Sequence, residues 1–194
     1  NWKMFFIYGW LFGFGYFATS LYWISISLTF DQDFKFLIPL VIILIPAFLS
    51  IFYGLVSYLF IILKPKKIVS SFLVFSLIFG VLEFIRGFIL TGFPWNLIAY
   101  SFLNQLEIIS ITSVIGTYGF NLFCISLFSS PSLLLLKKTN KETVTFIFFL
   151  ILLFVFYLHG YHYEKKFYEA SKISHDFKVR AVSSNISLKR YYSN

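Results

Sequence analysis

The sequence predicts an all-α polytopic membrane protein, a bundle of about five transmembrane helices, followed by the first strand of a separate domain in water. Composition is the first ground: 59% of the 194 residues are hydrophobic and 12% charged, with mean hydropathy +0.82, far from the usage of soluble domains. The second is a set of apolar runs, each near or above the ~20 residues that a bilayer core requires. The third is an abrupt change to mixed charge after Tyr163. A net charge of +8 would suggest nucleic acid in a soluble chain. Here many of the lysines cluster between apolar runs and report topology instead, so no nucleic-acid partner is expected.

The runs cover residues 4–30, 36–63, 68–90, 106–136 and 144–163. Between them lie DQDFK (31–35), KPKK (64–67), the uncharged TGFPWN (91–96) and KKTNKE (137–142). Alternate links must lie on one side of the membrane. The second and fourth hold six lysines against Glu142, whereas the first and third hold Lys35 against Asp31 and Asp33, with Glu107 beyond the third at the start of the next run. The positive-inside rule then makes the lysine-rich pair cytoplasmic and puts TGFPWN, and all that follows the fifth helix, on the outer face. Residues 1–163 are expected to form the membrane domain, and 164–194 a linker with the first strand of the outer domain. In FKVRAVSSNIS (177–187), Phe177, Val179 and Ala181 alternate with Lys178 and Arg180, which is strand periodicity. One strand cannot bury a face alone, so its partners are expected beyond residue 194. With Asn1 in place of a starting Met, the chain reads as a piece of a longer one.

The stretch EFIRGFILTGFPWN (83–96) places Glu83 and Arg86 on one face of the third helix. Either charge left in hydrocarbon costs at least ~2.5 kcal/mol, so both should face protein or a wet cavity, paired with each other or with neighbouring helices. Gly87 lets another helix approach. Gly92 is placed to cap the helix, and Pro94 prevents its continuation. Trp95 and Tyr100 suit the headgroup layer, with the Asn96 amide among them. Non-helical backbone at this depth needs protein cover or a cavity to line, so the stretch reads as the rim of an outward-facing pocket. The plain alternative is a structural ion pair beside an ordinary turn.

EFIRGFILTGFPWNLIAYS resembles the signature of the apolipoprotein N-acyltransferase family, a Glu-Phe-x-Arg-Gly, then Thr-Gly-Phe-Pro-Trp, then Tyr-Ser. GWLFGFGYFATSLYWISIS (9–27) is similar to that family's Gly/Phe-rich helix ending in a Trp, and IGTYGFNLF (115–123) to a later helix. FKVRAVSSNI is similar to the start of its nitrilase-like domain, with Ser183 and Ser187 where the family usually has Gln and Pro. The resemblance implies a multi-pass protein of the bacterial inner membrane whose tail is the start of a truncated nitrilase-like α/β domain facing the periplasm. It implies a monomer that transfers a fatty acyl group from a phospholipid donor, through a cysteine thioester, to the amine of a diacylglyceryl apolipoprotein acceptor. No cofactor and no metal are implied. The family's Glu, Lys and Cys triad falls beyond residue 194, so no catalytic residue is expected in this chain, which should be inert alone. Glu83, Arg86, Phe93, Trp95, Asn96 and Trp23 are the candidate substrate- or lipid-binding residues, with Arg86 attracting phosphate, Glu83 orienting it, and Trp95 and Trp23 beside the cavity.

Other features have plainer readings. Cys124 lies mid-run in FNLFCISLF with no neighbouring cation or base, and reads as a small buried hydrophobe. Gly9, Gly13 and Gly15 suggest close helix packing. His159 and His162 read as interfacial residues, since no third ligand accompanies them. Trp10 and Tyr22 read as packing or belt residues. The rival function is a transporter or channel subunit in which Glu83 and Arg86 line the path, and such a protein should show inverted repeats or helices broken near the midplane.

Overall fold

The computed structural model describes residues 2–63, 65–89, 92–171 and 180. Among them, five helical segments are long and apolar enough to cross a membrane: Trp2–Thr29, Gln32–Leu63, Ile68–Phe88, Thr112–Leu135 and Asn140–Ala170. The expected number of spans is therefore met. Apart from Arg180, the strand expected in FKVRAVSSNIS (177–187) lies outside the described residues.

Helix α1 (Trp2–Leu21) gives way to a 3₁₀ segment, Tyr22–Thr29, where a continuous α-helix to residue 30 was expected. The sequence YWISISLT explains the change. Ser25, Ser27 and Thr29 each donate a hydroxyl hydrogen bond to the carbonyl three residues back, at 2.6–2.7 Å, and such bonds compete with the α-helical ladder. Asp31 restarts the chain by accepting from the Asp33 N–H, and a second 3₁₀ segment, Gln32–Leu37, leads into α2 (Ile38–Leu63). Pro46 interrupts the α2 ladder.

Helices α1 and α2 pack through small residues. A Cβ on Gly9 would strike the Tyr53 carbonyl and the Ser57 hydroxyl, and one on Gly13 would come within 2.8 Å of the Tyr53 Cβ. Nothing lies within 4 Å of such an atom on Gly15. The packing stripe is thus Gly9 and Gly13, one turn apart, and Gly15 lies outside it. Trp10 adds an indole hydrogen bond to the Ala47 carbonyl at 2.9 Å.

Helix α3 (Ile68–Phe88) runs back across the bundle, and its 21 residues span about 30 Å. The apolar run 106–136, expected as one helix, is broken into a single turn α4 (Leu106–Ile109), then α5 (Thr112–Ser129) and α6 (Pro131–Leu135). Gly116, with φ 72°, kinks α5, a conformation that residues with a Cβ adopt only under strain. Helix α7 (Asn140–Ser171) starts on a capping box: Glu142 accepts from the Thr139 N–H and hydroxyl at 2.8 and 2.7 Å. It continues past residue 163, so the segment expected to be linker is helical through Ser171. Gly160 brings α7 onto α4, since a Cβ there would strike the Glu107 carbonyl.

Two apolar clusters form the core. One gathers Phe17, Leu49, Tyr53 and Leu82 from α1, α2 and α3; the other gathers Phe120, Phe123, Cys124, Phe149 and Phe156 from α5 and α7. Cys124 is fully buried in the second. Outside the clusters, large apolar side chains such as Leu40, Ile43, Phe84, Phe148 and Phe154 are exposed, as a lipid-facing surface requires.

Both lysine-rich links lie at one end of the bundle, because Lys66 and Lys138 line the same cavity. The length of α3 puts the 92–96 stretch at the opposite end.

Candidate lipid-binding site

The site is built at the end of α3. Burial forces the Glu83 and Arg86 charges together: their side chains are 1% and 0% exposed, so each charge needs a partner within the protein. The Arg86 Nε donates to Glu83 Oε1 at 3.1 Å and Nη2 donates to Oε2 at 2.8 Å, a bidentate pair. Nη1 faces the other way and donates to the carbonyls of Phe93 and Trp95, at 3.0 and 2.9 Å. The guanidinium also lies over the Phe17 ring, 5.3 Å from its centroid, and 6.0 Å from that of Phe93. Of its five N–H groups, four are used in these bonds.

The loop is held by more than Arg86. Tyr100 donates to the Pro94 carbonyl at 3.2 Å and Tyr16 to the Asn96 carbonyl at 2.9 Å. Four consecutive carbonyls, of residues 93 to 96, therefore each accept a hydrogen bond from a side chain elsewhere in the fold. This is how irregular backbone survives beside a membrane: its acceptors are satisfied by protein in place of water. Farther on, the buried Asn121 of α5 accepts from the Ala99 N–H at 3.0 Å and fixes the 3₁₀ segment Ile98–Phe102.

Gly92 does not cap α3 as expected. The helix ends at Phe88, with Ile89 as its extended C-cap. Gly92 instead turns the chain, with φ 76° and its N–H on the Ile89 carbonyl at 2.9 Å. That turn delivers the Phe93 N–H to the Arg86 carbonyl at 3.1 Å, satisfying an end-of-helix acceptor. A Cβ on Gly92 would come within 2.6 Å of the Gly87 carbonyl, so glycine is required by space as well as by φ. Asn96 also has positive φ, 58°, which Asn tolerates better than most residues. Gly87 gives the close approach expected of it, to the Tyr118 hydroxyl of α5.

Trp23 and Trp95 come together, with ring centroids 5.7 Å apart, and both are exposed, at 43% and 55%. Next to the loop lies a cavity of about 320 Å³, lined mainly by Leu44, Phe48 and Phe52 of α2 and by Ile89 and Phe93, with Arg86 in its wall. The six sequence-selected residues thus form one connected group, joined through Arg86, the loop and the tryptophan pair. Tyr16, Phe17, Tyr100 and Asn121 belong to it and were not selected. Their signal was available for Asn121, an amide in an apolar helix. For the tyrosines it was not, because a belt position and a loop tether look alike in sequence.

His159 stacks on Tyr163 and His162 lies edge-on to Tyr161. Glu83 and Arg86 are buried against each other and the loop, and of the two only Arg86 reaches the wall of the cavity beside it.

Comparison with known proteins fits this arrangement. The family model described as the apolipoprotein N-acyltransferase N-terminal domain matches residues 1–130. Proteins named apolipoprotein N-acyltransferase are similar to the chain. That of Rhodopseudomonas palustris is 40% identical over 136 residues, 69% of this chain and 25% of the relative. That of Rhizobium rhizogenes is 39% identical over 127 residues, 65% of this chain and 24% of the relative. That of Rickettsia prowazekii is 33% identical over 161 residues, 82% of this chain and 32% of the relative. No solved structure gives a significant match. The chain spans about a quarter to a third of the length of these relatives, and with the motif around Glu83 and Arg86 folded into a single tethered loop, it belongs to the apolipoprotein N-acyltransferase family.

Proposed function

We propose that this chain is the membrane part of an enzyme that moves a fatty acyl group from a phospholipid to the N-terminal diacylglyceryl-cysteine amine of a lipoprotein. In the first step a cysteine thiolate attacks the ester carbonyl of the phospholipid, forming a thioester and releasing the lysophospholipid. In the second the lipoprotein amine attacks the thioester, forming the amide and returning the thiol. The nucleophile and its Glu and Lys partners belong to a nitrilase-like portion outside this chain, and the chain alone is inactive. It sits in the bacterial inner membrane with its lysine-rich links cytoplasmic and the 92–96 loop at the periplasmic surface.

The observation that carries this reading is the tethered loop beside an apolar cavity, in a chain of this family. A cavity of about 320 Å³ suits part of an acyl chain, and its apolar wall favours one by roughly 0.8 kcal/mol per buried methylene. Phe93 forms the cavity wall, while Trp95, Asn96 and Trp23 mark the headgroup level where the ester is presented. We assign Arg86 a positioning role ahead of the expected attraction of phosphate, since four of its five N–H groups are engaged by Glu83 and the loop carbonyls. Glu83 fixes Arg86, and Arg86 fixes the loop.

The test is photo-crosslinking in the intact protein with a phospholipid carrying a diazirine on its acyl chain. Crosslinks to Phe48, Phe52 or Phe93, competed away by unlabelled phospholipid, are expected. Uncompeted labelling spread over the lipid-facing residues, with none in the cavity, would contradict the reading.

A further inference from the structure

The lysine-rich end of the bundle carries a second cavity, of about 720 Å³, more than twice the volume of the one beside the loop. Phe60 and Phe75 line one side, their rings edge-on at 5.5 Å, and Phe128 and Leu133 line the other. Lys66, from the α2–α3 link, and Lys138, from the α6–α7 link, lie on the same lining. Topology alone accounts for lysines at this end. It does not account for an apolar cavity between two basic links that are 72 residues apart in sequence (138 less 66).

We propose that this cavity binds an anionic phospholipid of the lysine-side leaflet, with an acyl chain along the phenylalanines and the phosphate between Lys66 and Lys138. Charge complementarity selects the occupant. Among the described residues the lining holds two lysines and no carboxylate, so a headgroup of net negative charge gains from both, whereas a zwitterionic one brings its own ammonium to the same place. Basic pockets between transmembrane helices hold anionic headgroups in this manner. The flexible lysine stems can follow the apolar rim while their ammonium groups stay at the surface. This lipid site is at the opposite end of α3 from Arg86, so its occupant is structural or regulatory and is not the acyl donor at the 92–96 loop.

The test uses the intact protein in phosphatidylcholine nanodiscs, with spin-labelled phosphatidylglycerol and, separately, spin-labelled phosphatidylcholine. A motionally restricted component that prefers phosphatidylglycerol is expected. Lys66→Gln with Lys138→Gln should weaken the phosphatidylglycerol association about thirtyfold, as expected for two surface lysines, and leave phosphatidylcholine and thermal melting unchanged. Ser132→Trp, at the exposed rim, should displace the restricted component by filling the cavity. Unchanged phosphatidylglycerol selectivity in the lysine double variant would overturn the proposal. So would the absence of a restricted component that Ser132→Trp removes, which is the outcome if protein fills the cavity.

Discussion

The two ends of α3 treat positive charge in opposite ways. At the loop end Arg86 is buried, and its guanidinium is engaged by one carboxylate and two carbonyls. At the other end Lys66 and Lys138 are exposed around an open cavity. A cation in a membrane protein is tolerated either by internal pairing or by reaching the surface. The first choice makes the charge part of the architecture, and its loss damages the fold. The second leaves it free for something that comes and goes.

This contrast can be broken or sharpened by substitution, from the loop end to the lysine end. Arg86→Met strands the Glu83 carboxylate and leaves the Phe93 and Trp95 carbonyls without their donor, so melting in detergent should report a loss of ~3 kcal/mol or more. Gly9→Ala forces α1 away from the Tyr53 carbonyl and should cost about 1–3 kcal/mol. Gly15→Ala, with open space around it, is the control that should melt no lower than the parent, gaining up to about 1 kcal/mol from helix propensity. Tyr16→Phe removes one tether of the loop, at about 1 kcal/mol, and should raise cleavage by protease near Asn96. Lys66→Gln and Lys138→Gln should each change stability by no more than about 0.5 kcal/mol. A lysine substitution as damaging as Arg86→Met would erase the distinction between the ends.

Much of this was legible in the sequence, for physical reasons that differ by region. The five spans follow from length and hydropathy. The three-residue spacing in an apolar run puts Glu83 and Arg86 on one face and demands partners for both, leaving open whether they pair with each other or with neighbouring helices. The division of labour within the loop does not follow. That Arg86 donates to two carbonyls depends on the turn at Gly92, which carries the chain back over the end of α3. The conversion of residues 22–29 to 3₁₀ geometry was foreshadowed by alternating serines, yet hydroxyl back-bonding is a weak signal beside a hydropathy run. The start of α7 was marked by Thr139 and Glu142, a capping-box pattern hidden in a link that charge alone had defined. The kink within α5 rests on Gly116, whose positive φ is not shared by Gly119 in the same helix.

The central claim is that Arg86 clamps the loop, with Glu83 holding the clamp. It is tested most directly by a double-mutant cycle of Glu83→Leu and Arg86→Met in the intact protein, with melting and acyl-enzyme formation measured on the same four proteins. A bare ion pair predicts that the double variant regains the parent's stability, because no charge is left stranded. The clamp predicts only partial recovery. The Phe93 and Trp95 carbonyls still lack a donor, so the double variant should stay at least ~2 kcal/mol less stable than the parent, with acyl-enzyme formation as low as in Arg86→Met. Full recovery of both melting and acylation in the double variant would contradict the clamp and reduce Glu83 and Arg86 to a replaceable pair.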